Sequence, residues 1–146
     1  MQRPPRYGWV APFYDLVSVE WPVYRAGRVA GVEALGLRPG DTVADVGCGT
    51  GLSLSLLRKA VGAHGGIVGV DASPTMLRQA AGRIASAGWG NVDLVRADAA
   101  EPGALAMALQ SAEGSDGEAP PLDGAIFVYS LSLMSSWPQV GPRSWR

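Results

Sequence analysis

The sequence contains few of the residues on which many protein sites depend. There is one cysteine, Cys48, and one histidine, His64, among 146 residues. A single cysteine excludes an intramolecular disulfide, and it is consistent with a reducing compartment. One Cys and one His cannot assemble a tetrahedral zinc site. A Ser-His-Asp triad is also disfavoured, because His64 lies in a glycine-rich turn at the far end of the predicted sheet.

Charge and long apolar runs are scarce as well. Charged residues make up 17% of the chain, and the formal net charge is -1. The basic residues are scattered, so nothing indicates a nucleic-acid partner. No apolar run approaches the roughly 18 residues of a membrane span. The first 15 residues lack the apolar stretch of a signal peptide. We therefore expect a cytoplasmic protein without a membrane span.

What remains is an apolar chain with alternating strand and helix patterns. Apolar residues make up 47% of the sequence, a composition typical of globular domains. A helical pattern from 11 to 35 is interrupted at Trp21-Pro22 and stopped by Gly36. Strands are predicted at 42–46, 67–70, 92–95 and 125–129, with helices at 52–61, 74–87 and 103–112 and a solvated loop at 113–121. This alternation predicts an α/β fold with a parallel sheet.

A glycine-rich turn follows the first predicted strand, in the sequence V-A-D-V-G-C-G-T-G from Val43 to Gly51. Such a turn lets the backbone approach a ligand and presents amides at a helix N-terminus. The dinucleotide-binding pattern requires a glycine where this chain has Leu52, and it does not ordinarily require an acid at Asp45. A P-loop would need Gly-Lys-Ser/Thr, which does not occur here.

The turn resembles motif I of class I S-adenosylmethionine-dependent methyltransferases. The resemblance continues through V-G-V-D-A-S-P-T-M-L at 68–77 and V-R-A-D-A at 95–99, and it covers Asp41 to about Tyr129. It implies a doubly wound, Rossmann-like, mainly parallel sheet of strand order 3-2-1-4, and S-adenosyl-L-methionine as the cofactor. Nucleotide-binding folds of this kind hold their ligands at the carboxyl ends of the strands.

The resemblance also implies roles for particular residues. Asp71 would accept both ribose hydroxyls, although an acid favoured by a helix N-terminus is an alternative interpretation. Asp98 would contact the adenine amino group and Ala99 the ring through its N–H, although Asp98 is equally typical of a turn. Met76 either packs on adenine or belongs to the core. The predicted cofactor-binding residues are Asp45, Gly47, Cys48, Gly49, Gly51, Asp71, Ala72, Met76, Asp98, Ala99 and Tyr14.

Asp45 is the carboxylate expected near the methionine part of the cofactor, where its charge complements the amino and sulfonium groups. Gly47 and Gly49 would leave room for that chain. A purely structural role is disfavoured, because a buried acid is costly unless it is paired. Cys48 occupies a position of variable residue type in the motif, and we do not expect a catalytic thiol. The sequence identifies no catalytic side chain, and methyl transfer does not require a dedicated nucleophile.

The sequence predicts the chemical class of the methyl acceptor but not its identity. The segment after the fourth strand normally faces the acceptor, and its predicted contact residues are Tyr129, Ser130, Met134 and Trp137. It lacks the Asn/Asp-Pro-Pro-Tyr pattern of enzymes that methylate amide or adenine nitrogens. The aromatic N-terminal region resembles the lid helices of ubiquinone/menaquinone and phospholipid N-methyltransferases, with Tyr14 covering the methyl-donor pocket. Core packing of these aromatics is the alternative. A small apolar or amphiphilic acceptor follows.

The predicted organisation is a helical lid segment at 1–40, an incomplete cofactor-binding core at 41–140 and an irregular tail at 141–146. A complete domain of this family continues beyond strand four, so we expect a truncated sheet whose fourth strand exposes an edge available for self-association. Methyl transfer to a small molecule is the predicted function. A non-catalytic remnant that binds the cofactor weakly or acts through a partner is the alternative. Leu52 and Asp45 disfavour a nicotinamide oxidoreductase.

Overall fold

A computed structural model describes residues 22–112 and 121–127 of the chain, and the fold is described for these residues. Strands and helices alternate, as the sequence predicts. The elements in chain order are α1 (Pro22–Ala34), β1 (Thr42–Val46), α2 (Leu54–Val61), β2 (Gly66–Asp71), α3 (Pro74–Ala87), β3 (Val92–Arg96), α4 (Ala104–Ser111) and β4 (Gly124–Ile126).

The strands form one parallel sheet in the order β3-β2-β1-β4. This confirms the predicted order 3-2-1-4. Asp45 near the end of β1 lies opposite Gly69 on one side and Ile126 on the other. Asp71 at the end of β2 lies opposite Arg96. Because all pairings are parallel, the carboxyl ends of the strands meet at one edge of the sheet.

Helices cover both faces of the sheet. On one face, a core cluster that includes Val43 of β1 and Ile67 of β2 packs with apolar residues of α1, α2 and α3. On the other face, the alternate residues of the same strands, such as Ala44 and Val68, pack beneath α4. Side chains alternate between faces along a strand, so Asp45, two positions after Val43, points toward the face that α1, α2 and α3 cover.

The clearest local match to prediction is α3. The Ser73 hydroxyl accepts a hydrogen bond from the Met76 amide at 3.3 Å, and Pro74 occupies the first turn. Gly88 ends the helix in the left-handed conformation with φ 67°. Both ends therefore follow the capping preferences of their residue types.

Two boundaries differ from prediction by two residues or more. Helix α2 begins at Leu54 rather than at position 52, because the glycine turn extends further: the Leu54 amide donates to the Gly51 carbonyl at 3.2 Å. Strand β4 is Gly124–Ile126 rather than 125–129, since its pairing with β1 covers three residues and ends opposite Asp45; positions 128 and 129 lie outside the described residues. Within 22–112 and 121–127, no helix is both long and apolar enough to cross a bilayer.

Candidate functional site

The glycine turn at the end of β1 is fastened to the neighbouring strand β2. The amides of Gly47 and Cys48 both donate to the Val70 carbonyl, at 2.7 and 3.0 Å, and the Gly51 amide donates to the Cys48 carbonyl at 3.0 Å. Gly47, Gly49 and Gly51 all have positive φ values, of 72°, 57° and 83°. Left-handed conformations are costly for residues with a Cβ, which explains the three glycines.

Asp71 connects this turn to the start of α3. Its Oδ2 accepts the Gly49 amide at 2.9 Å, and its Oδ1 accepts the Ser73 amide at 2.8 Å. The sequence did not indicate the bond to Gly49, because it joins residues 22 positions apart. A carboxylate oxygen can accept a second hydrogen bond, so the half-buried group keeps capacity for a ligand. Asp71 can therefore accept the amide at the start of α3 and still bind a ligand, so the two interpretations of this residue are compatible.

The turn is shaped for close approach rather than for anion binding. The amides of Gly47, Cys48, Gly49 and Gly51 all donate to protein acceptors, so they are not presented to a ligand as the sequence had indicated. A Cβ on Gly49 would meet no atom of the described residues within 4 Å. A Cβ on Gly51 would lie 2.7 Å from Leu54 Cδ1 and 3.2 Å from the Cβ of Ala80. Within the described part of the chain, Gly49 therefore has room beside it, whereas Gly51 permits the contact with α3.

Asp45 is the most unusual group of the site. Its side chain is 2% exposed, and its Oδ2 has no hydrogen-bond partner among residues 22–112 and 121–127. The pKa of the Asp45 carboxyl is raised from 3.8 to about 7, mainly by burial and also by the negative charge of Asp71, while the positive charge of Arg28 acts to lower it. An uncompensated buried acid is costly. Buried acids with a raised pKa are typical of functional sites.

Arg28 is a buried charge that sequence reasoning did not single out. Its side chain is 8% exposed, and it lies one helical turn before Val32 of the α1 core face. Fully buried arginines are rare unless they are paired. The signal in the sequence was a basic residue four positions before an apolar one, a spacing that places both on one helix face. That signal is too common to identify a site by itself.

Cys48 is a packing residue with an unreactive thiol. It is 8% exposed, and a Cβ on Gly69 would lie 3.2 Å from its Sγ. Burial and the neighbouring charges of Asp45 and Asp71 raise the pKa of the Cys48 thiol well above its ordinary range. Since the thiolate is the nucleophile, this agrees with the expectation that Cys48 is not catalytic.

Asp98 and Ala99 follow β3 at the same edge of the sheet. Asp98 is exposed, and its Oδ1 accepts the Ala100 amide at 2.9 Å. This is the turn role that the sequence left open, and the other oxygen of Asp98 remains available in principle to a ligand. Ala99 is 7% exposed and packs with Ala44 and Val46. Asp98 thus follows β3, the strand next to the one that ends at Asp71.

The remaining predicted residues fall into two groups. Ala72 is exposed beside Asp71, and the Met76 side chain is 6% exposed in the first turn of α3. His64 is exposed in the turn before β2, at the opposite edge of the sheet, as expected. Among residues 22–112 and 121–127, no cluster of His, Cys, Asp and Glu can hold a metal ion. Predicted residues outside the described ranges are Tyr14, Tyr129, Ser130, Met134 and Trp137.

Comparison with known proteins identifies the same region. A family model for a methyltransferase domain matches residues 43–113. Nocamycin O-methyltransferase from Saccharothrix syringae is 36% identical over 93 residues, which are 64% of this chain and 32% of the relative. A ubiquinone/menaquinone biosynthesis C-methyltransferase from Teredinibacter turnerae is 33% identical over 93 residues, which are 62% of this chain and 37% of the relative. The chain thus spans about a third of the length of these relatives.

The fold has solved counterparts. A structure from Methanococcus maripaludis, assigned to the S-adenosyl-L-methionine-dependent methyltransferases, superimposes with a TM-score of 0.54 at 21% identity. The superposition covers 69% of this chain and 47% of that one, and it supports the Rossmann-like architecture. With the matched domain, the curated relatives and the strand order in agreement, residues 43–113 form a methyltransferase domain that resembles the class I S-adenosylmethionine-dependent methyltransferases.

Proposed function

We propose that the chain binds S-adenosylmethionine at the carboxyl edge of β1, β2 and β3 and transfers its methyl group to a small apolar or amphiphilic acceptor. The observation that carries the proposal is the buried side chain of Asp45, whose Oδ2 has no hydrogen-bond partner in the part of the chain that the structure describes. A buried carboxylate without a partner becomes favourable when a cation binds next to it.

The charged and hydrogen-bonding groups of the site fit S-adenosylmethionine better than a dinucleotide. The molecule carries an ammonium and a sulfonium group and no phosphate, whereas a dinucleotide needs free amides for its pyrophosphate. The turn amides of Gly47, Cys48, Gly49 and Gly51 are already taken, which disfavours the dinucleotide. A buried acid at Asp45 favours the cation.

Three parts of the cofactor would each have a place. Asp45 would hold the amino-acid part, and the second lone pairs of Asp71 the ribose hydroxyls. Asp98 and the buried Met76 would hold the adenine. These assignments rest on the order of the strand ends, since Asp71 and Asp98 follow neighbouring parallel strands.

The cofactor supplies an electrophilic methyl group, and in-line displacement by the acceptor needs positioning and exclusion of water more than a protein nucleophile. The described residues suit this division of work. The Asp71 carboxylate fixes the turn, and the side chains of Leu54 and Ala80 pack closely against Gly51. The protonated Cys48 thiol provides no competing nucleophile.

The acceptor class is supported by the two curated relatives, which are named for nocamycin and for ubiquinone/menaquinone biosynthesis. Both names refer to small molecules. We infer a similar class of acceptor for this chain. The predictions that the segment 129–137 faces the acceptor and that Tyr14 covers the methyl-donor pocket concern residues outside the described ranges. Cytoplasmic location and self-association through the β4 edge stay predictions; sedimentation analysis tests the second.

The test combines binding and chemistry. Calorimetry should detect stoichiometric binding of S-adenosylhomocysteine and no binding of NADH. Radiolabelled S-adenosylmethionine should then label a hydroquinone or phenolic polyketide acceptor. Binding without transfer to any such acceptor would favour a non-catalytic cofactor-binding chain. Binding of NADH alone would refute the proposal.

A further inference from the structure

Helix α3 packs against the glycine turn along one of its faces. Met76, Ala80 and Arg83 are spaced so that all three lie on the same side of this helix. Met76 and Ala80 are buried. The backbone of α3 comes so close to the turn that a Cβ on Gly51 would lie 3.4 Å from the Cα of Ala80. Arg83 lies about one helical turn beyond Ala80, on the face that meets the glycine turn.

Arg83 holds the glycine turn by a hydrogen bond from its side chain to the backbone. Its Nε donates to the Thr50 carbonyl at 3.1 Å and joins residues 33 positions apart. Thr50 is only 2% exposed, and the Arg83 side chain is half-buried, so water has limited access to this contact. A hydrogen bond from a charged donor is stronger than one between neutral groups, and the exclusion of water strengthens it further.

The bond from Arg83 complements the two contacts that fasten the turn to β2. The Val70 carbonyl and the Asp71 carboxylate accept amides of residues 47–49, whereas Arg83 acts on the following residue, Thr50. The turn is therefore held by the end of β2 on one side and by the body of α3 on the other. Glycines lose more conformational freedom on ordering than other residues do, so a turn with three glycines of positive φ depends on such contacts.

We propose that Arg83 is a positioning residue for S-adenosylmethionine: through its bond to the Thr50 carbonyl, it keeps the glycine turn in the conformation that binds the ligand. A turn that is ordered before the ligand arrives loses less conformational entropy on binding. The inference rests on the proposed function, and it deepens it by giving α3 a part in the affinity for the cofactor. Arg83 acts through the turn and not by contact with the ligand.

Calorimetry of the full chain with S-adenosylhomocysteine tests the effect on affinity. Arg83→Met keeps an unbranched side chain but cannot donate a hydrogen bond, and it should weaken binding about 3- to 30-fold. Arg83→Lys keeps the charge and a donor at the end of the side chain, so it should recover part of this loss. The matched control is Arg78→Met, which removes an exposed arginine from the same helix and should change the affinity by less than about twofold.

Hydrogen exchange of the chain without ligand separates positioning from a general loss of stability. In Arg83→Met, the amides of Gly49 and Gly51 should exchange at least about threefold faster than in wild type, because the turn opens locally more often. The Ile67 amide lies near the opposite end of β2 and should be accelerated by a clearly smaller factor. Arg78→Met should leave the exchange of all three amides unchanged.

The outcomes separate the role of Arg83 from the proposed function. If Arg83→Met binds S-adenosylhomocysteine as tightly as wild type does, the positioning role is wrong while cofactor binding stands. Equal acceleration of the Gly49, Gly51 and Ile67 amides would show a general structural role and would also overturn it. If Arg83→Met does not fold, Arg83→Lys decides by the same two measurements, and wild-type behaviour in both refutes the inference. If wild type does not bind S-adenosylhomocysteine, the proposed function fails and the positioning role fails with it.

Discussion

Replacing Asp45 by asparagine should stabilise the folded chain increasingly as the pH rises. Burial, with a further contribution from Asp71, raises the pKa of this carboxyl from 3.8 to about 7. The folded chain therefore holds the proton more tightly than the unfolded chain does. The contribution of the Asp45 carboxyl to the free energy of unfolding is fully present below about pH 4 and is lost as the pH rises through about 7.

The magnitude follows from the two pKa values. A shift from 3.8 to about 7 corresponds to about 4 kcal/mol between the ends of the titration, at about 1.36 kcal/mol per pKa unit. Between pH 5 and pH 8.5 the wild type should lose about 3 kcal/mol of this stability. Asparagine does not titrate, so the difference in free energy of unfolding between Asp45→Asn and wild type should grow by about 3 kcal/mol over that interval.

Urea unfolding at both pH values measures this difference, because the other titrating groups contribute equally to the two proteins and cancel. Asp93→Asn removes an exposed carboxylate from β3 and serves as the control for the same substitution at an exposed position. The amide of the new asparagine adds a constant offset but no pH dependence. A difference for Asp45→Asn that stays the same at pH 5 and pH 8.5 would refute the account of this group.

Three further predictions concern the same site. S-adenosylhomocysteine should bind about tenfold more tightly at pH 8 than at pH 6, because only ionised Asp45 suits a cation; calorimetry showing equal affinities would contradict this. Gly51→Ala should lower the free energy of unfolding by about 2–4 kcal/mol through strain and overpacking, and Gly49→Ala should lower it by about 1–2 kcal/mol, as urea unfolding can measure. Calorimetry should show that Gly49→Ala weakens the binding of S-adenosylhomocysteine more than Gly51→Ala does. Cys48 should react with a thiol reagent orders of magnitude faster in urea than in the native chain, and equal rates would show an accessible thiol.

The sequence predicted the ends of helices well where a residue type has a well-defined capping role. Ser73, Pro74 and Gly88 mark the ends of α3 because their capping roles depend on the adjacent backbone alone. The strand order came from resemblance to a family, since alternation of strands and helices by itself leaves several orders open.

The site was harder to predict because its contacts are not local. The bond from the Gly49 amide to Asp71 joins two strand ends, so a pattern read along the chain assigns Asp71 to a ligand or to a helix terminus but not to the turn. The burial of Asp45 and its neighbour Arg28 depends on the packing of α1 over the sheet. The start of α2 was misplaced because the third glycine prolongs the turn instead of opening the helix.

The central claim is that the ends of β1, β2 and β3 converge on one nucleoside-bearing sulfonium ligand. A crystal structure of the chain with S-adenosylhomocysteine tests it most directly. The account predicts one ligand with Asp45, Asp71 and Asp98 each within about 3.2 Å of one of its polar atoms. A ligand bound elsewhere, or one that contacts a single strand end while the other carboxylates face separate regions, would contradict it.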